Sequence, residues 1–156
     1  MNASHDLALL QPGRIGNLEI RNRFVRSATG ESLADEHGFI KQGFQDLHVT
    51  LARHGVGLLI TGHIYVHRRG MYKVGMTGLD RDDHIGALQR LTGAVHAEGA
   101  RIFAELSHTG EKNAMPGVEP IAPSPKQNPQ TKKTAKAATE EEIREVIDSF
   151  RSAARR

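Results

Sequence analysis

Short runs of apolar residues alternate along the chain with longer stripes that have helical spacing, and the pattern occurs three times. The runs predict β-strands at residues 23–28, 56–61 and 100–106, the second of them apolar throughout and buried on both faces. Each run is followed by apolar residues that recur every three or four positions, which predicts an amphipathic helix. The stripes consist of Ile40, Phe44, Leu47 and Leu51, then Ile85, Leu88, Leu91 and Val95, then Ile143, Val146, Ile147 and Phe150.

Several residues mark where these elements begin and end. Gly55 and Gly99 follow the first two stripes, where a left-handed glycine commonly caps a helix. Thr139 precedes the third stripe, with Glu142 three residues later, which predicts a capping box. Residues 13–20 alternate around a Gly-Asn pair and predict a short β-hairpin.

Strands that alternate with helices favour parallel pairing with right-handed crossovers. The segments after the second and third strands, residues 62–82 and 107–139, are long, and long loops are usually functional. In an α/β barrel the loops after the strands form the active-site face. Three βα units are less than half of an eight-stranded barrel, so we expect residues 1–156 to be the N-terminal part of one (β/α)8-barrel domain.

The amino-acid composition excludes several kinds of site and partner. The chain has no cysteine, which excludes disulfides, thiolate metal sites and cysteine nucleophiles. No run approaches the ~18 apolar residues of a membrane span, and the N-terminus lacks the features of a signal peptide, so we expect a cytoplasmic protein. The net charge of +3 comes largely from residues 126–136, which contain no aromatic residue and predict a solvated loop rather than a nucleic-acid surface. The nine histidines show no metal-binding spacing, and no phosphate-binding glycine motif is present.

Short motifs along the whole chain, in order, resemble the Old Yellow Enzyme family of flavin oxidoreductases. Residues 12–25, PGRIGNLEIRNRFV, resemble the hairpin and first strand of that family, and residues 57–62, GLLITG, resemble its second strand. Residues 95–103, VHAEGARIF, lead into its third strand, which ends in LSHTG at 106–110. The IAPS element at 121–124 and the helix start at 139–143 follow in the same order.

This resemblance implies a TIM barrel that binds FMN at the carboxyl ends of its strands. FMN would accept hydride from NADH or NADPH and pass it to a small activated alkene, such as an enone or a dienoyl thioester. A homo-oligomer is compatible with the family, whereas nucleic-acid and membrane partners are not expected. The residues that the resemblance assigns to FMN are Ser27, Ala28, Thr29 and Gly30 after the first strand, the backbone of His63 after the second, and Glu105 in the third.

Some of these positions depart from the family pattern. Proline is common where Ala28 stands, and threonine or cysteine where Gly30 stands. Glu105 replaces a glutamine that pairs with the pyrimidine edge of the flavin; a carboxylate can accept from N3–H but cannot donate to O2. Alternatively, Glu105 forms an ion pair with Arg23 or Arg26. His108 belongs to the motif as a packing and hydrogen-bonding residue.

The family's substrate-binding pair and FMN phosphate site do not occur within the 156 residues. We therefore predict no catalytic residue here, and we expect this chain alone to be inactive and to bind FMN weakly. Two other hypotheses stay open from the sequence: a barrel lyase or aldolase, and a non-enzymatic chain that buries its open sheet edge by self-association.

Overall fold

A computed structural model describes residues 7–156 and opens with a small antiparallel hairpin. Strand β1 (Gly13–Ile15) pairs with β2 (Leu18–Ile20) around a turn in which Gly16 has a φ of 57°. This confirms the hairpin predicted over residues 13–20. Residues 1–6, part of the stretch that argued against a signal peptide, lie outside the described residues.

A parallel sheet is centred on its longest strand. Strand β4 (Leu58–Tyr65) pairs on one side with β3 (Val25–Arg26) and the two-residue β5 (Thr77–Gly78), and on the other with β6 (Arg101–Ser107). The predicted strands therefore occur in parallel, but their bounds differ. The first has only two residues instead of six, and the second continues four residues beyond the predicted end.

Three helices follow strands in the order that the stripes predicted: α1 (Gln42–Arg53), α2 (Ile85–Ala97) and α3 (Glu140–Arg155). The predicted face of α1 is confirmed in part: Phe44 is buried and Leu51 packs against the same cluster, but the other fully buried positions are His48 and Ala52. Ile40 lies before the helix, where it forms a β-bridge with Ala34 and packs against the same cluster.

The predicted helix ends are confirmed. Gly55 has a φ of 104°, its N–H donates to Ala52 O, and the Val56 N–H donates to Leu51 O, which is a Schellman motif. Gly99 also has a positive φ, 76°. At the start of α3, Thr139 Oγ1 accepts from the Glu142 N–H at 3.2 Å while Glu142 Oε2 accepts from the Thr139 N–H at 3.0 Å.

Apolar side chains from α1 and α2 pack on one face of the sheet. A second cluster joins the far end of β4 to the end of α3, where Ala153 is buried. The predicted stripe of α3 is only partly covered, since Ile143 and Ile147 are 48% and 51% exposed. The first cluster consists of Phe44, Ala52, Leu59, Leu91, Val95 and Ala100.

The two long connections contain more structure than the sequence suggested. Residues 62–82 include the end of β4, β5 and short 3-10 turns at Arg68–Gly70 and Asp82–His84. Residues 107–139 include a 3-10 turn at Gly110–Lys112 and a small sheet in the order β7-β9-β8, formed by β7 (Ile121–Ala122), β8 (Lys126–Gln127) and β9 (Thr134–Ala137).

The segment at residues 126–136 was predicted as a solvated loop; it is largely exposed, as predicted, but it contains paired strands. Strands β8 and β9 pair antiparallel within it, and Lys133 Nζ donates to the carbonyls of Met115 and Val118. Lys136 Nζ lies 3.0 Å from Glu142 Oε1, so part of the positive charge of this segment is neutralised locally.

Among residues 7–156, no helix has the length and apolar character needed to cross a membrane.

Two glycine substitutions should change stability in opposite directions. Gly55→Ala places a side chain at a φ of 104°, so we expect a loss of about 1–2 kcal/mol in the free energy of unfolding. Gly93 lies inside α2 with open space around it, so Gly93→Ala should gain about 0.8 kcal/mol from helix propensity. Urea unfolding of both variants measures this, and a stabilised Gly55→Ala would contradict the cap.

Candidate functional site

Strands β3, β4 and β6 run parallel, so their carboxyl ends meet at the same edge of the sheet. The segment Ser27–Gly30 leaves this edge after β3, while His63 lies in β4 and Glu105 in β6. His63 is within β4 rather than after it, at a point where the register between β4 and β6 shifts. All the residues assigned to flavin from the sequence are therefore gathered at one edge.

The segment from Ser27 to Gly30 presents backbone rather than large side chains. Thr29 Oγ1 donates to Ser27 O at 3.2 Å, so this hydroxyl is turned back onto its own segment. Within the described part of the chain, the N–H groups of Thr29 and Gly30 donate to no protein acceptor. A Cβ built on Gly30 would meet nothing within 4 Å. The segment thus offers free amide donors beside open space.

Gly62 in β4 allows this segment to lie close to the sheet. A Cβ on Gly62 would stand 2.5 Å from Thr29 O and 2.8 Å from Gly30 Cα, distances that no side chain tolerates. The Gly62 N–H points at both carboxylate oxygens of Glu31, each at 3.2 Å. The position of the Thr29–Gly30 backbone therefore depends on glycine at 62.

A buried ion cluster holds the segment from behind. Glu31 Oε1 lies 2.9 Å from Arg26 Nη2 and 3.4 Å from His48 Nε2, and its side chain is 5% exposed. His48 Nδ1 is 2.8 Å from Phe44 O, which can only accept, so Nδ1 carries a proton. Nε2 faces the Glu31 carboxylate, so both ring nitrogens of His48 lie beside acceptor oxygens.

The pKa of Glu31 reflects this surrounding. Burial by itself raises the pKa of the Glu31 carboxyl, but His48, the Gly62 N–H and the charge of Arg26 together hold it below its ordinary value. Glu31 is therefore ionised in the folded chain.

His63 and Glu105 form a cross-strand pair at the same edge. They are register partners in β4 and β6, and His63 Nε2 lies 3.3 Å from Glu105 Oε2. Glu105 pairs with neither Arg23 nor Arg26, and Arg26 binds Glu31 instead. The alternative of an arginine partner for Glu105 was therefore wrong, because the nearer histidine occupies that place.

The connection after β4 covers part of this edge. A pocket of about 60 Å³ lies between the Gly30 segment and residues of this connection. The length of this connection was a signal in the sequence, but its individual residues gave none, since their approach depends on β5 pairing with β4. The pocket is lined by Gly30, Glu31, Ser32, His63, Tyr72, Lys73, Met76 and Thr77.

His108 lies just beyond β6 and has the packing and hydrogen-bonding surroundings expected from the sequence. Its ring lies against Gly70, stacks at 6.3 Å on His67, and accepts from the Gly110 N–H at 3.2 Å. Burial, with the nearby charges of His67 and Arg69, lowers the pKa of His108.

Within residues 7–156, no group of three or more histidine, aspartate or glutamate side chains could hold a metal ion.

The Arg26–Glu31–His48 cluster was missed by sequence analysis. One signal was present, because His48 falls four residues after Phe44 and four before Ala52 on the buried face of α1. The partner Glu31 carried no comparable signal, since it lies in a loop and is brought to His48 only by the tertiary fold.

Comparison with known proteins agrees with this arrangement. Residues 8–156 match the family model of the NADH:flavin oxidoreductase / NADH oxidase family. An NADH oxidase of Thermoanaerobacter brockii is 36% identical over 155 residues, which is 97% of this chain and 24% of that protein. The chain thus spans about a quarter of the length of this relative.

Solved structures show the same fold. The 2-naphthoyl-CoA reductase in complex with 2-naphthoyl-CoA is 28% identical with a TM-score of 0.89, over 95% of this chain and 25% of that one. The Old Yellow Enzyme homologue from Zymomonas mobilis is 26% identical with a TM-score of 0.85, over 96% of this chain and 44% of that one.

These similar structures are TIM-barrel enzymes, and this chain has the part of their fold that contains three βα units. The chain belongs to the NADH:flavin oxidoreductase / NADH oxidase family. The predicted fold class, the resemblance to Old Yellow Enzymes, and FMN with a nicotinamide reductant as the cofactors of the family are thereby confirmed. The hypothesis of a lyase or aldolase barrel is not supported.

Replacing Glu31 should expose the role of the buried cluster. Glu31→Gln leaves His48 and Arg26 without their carboxylate, and we expect a loss of about 3 kcal/mol in the free energy of unfolding at neutral pH. The pKa of Glu31 is lower in the folded chain than its ordinary value of 4.5. Its contribution to the free energy of unfolding is therefore fully present above pH 4.5 and is lost as the pH falls through the lowered pKa of the folded chain. Urea unfolding between pH 3 and pH 7 measures both effects.

The matched control is Asp46→Asn, an exposed carboxylate on the same helix as His48. It should leave stability within about 0.5 kcal/mol of the parent chain. An equal effect of the two substitutions, or an unchanged pH profile in Glu31→Gln, would contradict the buried cluster.

Proposed function

We propose that this chain forms the ring-binding edge of an FMN-dependent oxidoreductase that transfers hydride from NADH or NADPH to a small activated alkene. The observation that carries the proposal is the pair of free N–H groups at Thr29 and Gly30, beside open space and next to the His63–Glu105 pair. FMN supplies the redox chemistry when bound, accepting hydride from the nicotinamide and donating it to the alkene. The chain's residues bind and orient it.

The residues present fit a flavin ring. A flat ring requires close approach of backbone, and the stretch from Ser27 to Gly30 carries only small side chains. N5 and O4 of the isoalloxazine accept hydrogen bonds, which the N–H groups of Thr29 and Gly30 can donate. Ser27 and Ala28 would border the same face of the ring.

The other side of the ring would face β4 and β6. The backbone of His63 would border the ring, and the Glu105 carboxylate would accept from flavin N3–H. Glu31, Arg26 and His48 would act as positioning residues, since they fix the segment that carries the amide donors. No described residue is proposed as a proton donor to the substrate.

The family and one of the similar structures support the proposed substrate class. Alkenes conjugated to a carbonyl group, such as an enone or an unsaturated thioester, accept hydride at the β-carbon. The 2-naphthoyl-CoA reductase with its bound thioester supports the second class as a candidate.

Self-association of this chain stays a prediction; among residues 7–156, the second edge of β6 has no strand partner.

Ring recognition can be separated from phosphate recognition. Because the proposed contacts are all to the ring, FMN and riboflavin should bind the full chain with Kd values within about threefold of each other. Quenching of flavin fluorescence at increasing chain concentration measures both constants. Saturable binding of FMN without binding of riboflavin would contradict a ring site at this edge.

A side chain at position 30 should obstruct the ring without disturbing the fold. Gly30→Leu enters open space, and we expect it to weaken flavin binding by about tenfold or more. Gly93→Leu, a matched change into open space on α2, should leave the Kd unchanged. Circular dichroism verifies that both variants fold, and unchanged flavin binding by folded Gly30→Leu would contradict the proposed position.

A further inference from the structure

We propose that His63 and Glu105 act as a single unit toward the pyrimidine edge of the flavin, His63 supplying the hydrogen-bond donor and the positive charge that Glu105 lacks. This inference rests on the proposed function and deepens it. It assigns a role to the side chain of His63, whose backbone alone was expected to contribute.

A carboxylate alone matches the pyrimidine edge of the flavin poorly. This side of the flavin presents one donor, N3–H, between two carbonyl acceptors, whereas ionised Glu105 can only accept. Its negative charge would also oppose the anionic form of the reduced flavin. Glu105 Oε2 is buried and has no protein hydrogen bond of good geometry, so the carboxylate is left incompletely satisfied.

The sheet places the missing group beside it. The register of β4 and β6 sets His63 opposite Glu105, and the shift in register between Ile60 and His63 turns both toward the same side. Leu59, Ile64, Ile102 and Leu106 on these strands pack into the helix-side clusters. Side chains alternate along a strand, so Glu105, which precedes Leu106, points to the face of the sheet away from the helices.

The chemistry of the pair equals that of one neutral amide. His63 Nε2 lies 3.3 Å from Glu105 Oε2, and the imidazole in its protonated form would offer two N–H donors. The second is available to a flavin carbonyl, because the His63 side chain is 58% exposed. In that form, together with the Glu105 carboxylate, the pair would have no net charge and would offer both a donor and an acceptor.

Backbone contacts support the placement of Glu105. Its N–H donates to Thr61 Oγ1 at 3.2 Å, and the Thr61 hydroxyl in turn donates to Gly62 O at 2.9 Å. These bonds tie β6 to β4 beside the pair. Arg26 forms its ion pair with Glu31, so it does not compete with His63 for the Glu105 carboxylate.

A double-mutant cycle on the full chain tests this inference. The variants are His63→Ala, Glu105→Gln and the two combined, and the measurement is the Kd for FMN from fluorescence quenching. His63→Ala alone should weaken binding about tenfold, the loss expected for one charge-assisted hydrogen bond. In combination with Glu105→Gln, the same His63→Ala change should alter the Kd by less than about twofold, because the amide supplies its own donor.

His96→Ala provides the matched control, since this exposed histidine lies at the end of α2 away from the edge. It should leave the Kd unchanged. Equal effects of His63→Ala with and without Glu105→Gln would overturn the inference while leaving the proposed flavin site intact. A parent chain that binds neither FMN nor riboflavin would overturn the proposed site and the inference together.

Discussion

Parallel pairing of β4 with β3 on one side and β6 on the other is the interaction on which the site depends. It fixes which strand ends share an edge, and it brings residues almost eighty positions apart in sequence, such as Ser27 and Glu105, to that edge. The pairing also forces the helices to return along the same face, where α1 and α2 bury the first apolar cluster. Glu105 points to the opposite face, where His63 is its cross-strand partner.

The loop after β3 needs a second constraint, because two residues of strand pairing cannot hold it. Glu31 provides this constraint by binding Arg26, His48 and the Gly62 N–H at once. A charge buried in this way contributes little net stability, but removing one partner is costly. The cluster therefore fixes the direction in which the Thr29 and Gly30 amides point, which links the core of α1 to the candidate site.

Local signals in the sequence were sufficient for the helices and their ends, whereas long-range contacts were not. Gly55, Gly99 and Thr139 predicted their caps because the bonds they form span only a few residues. The first strand was predicted too long, since apolar Phe24 and Val25 are 43% and 48% exposed and no short-range signal reveals this. The residues of the edge came from family resemblance, but the pairing of His63 with Glu105 required the register of two strands.

In the proposed function, the flavin ring binds at the shared edge of β3, β4 and β6. Two-dimensional ¹H–¹⁵N NMR of the full chain during titration with FMN tests it most directly, because amide shifts report contact residue by residue. We expect the Thr29 and Gly30 amides to shift and saturate, while those of Gly55 and Gly99, at the opposite ends of the strands, stay in place. Saturating shifts at Gly55 and Gly99 with none at Thr29 and Gly30 would contradict it.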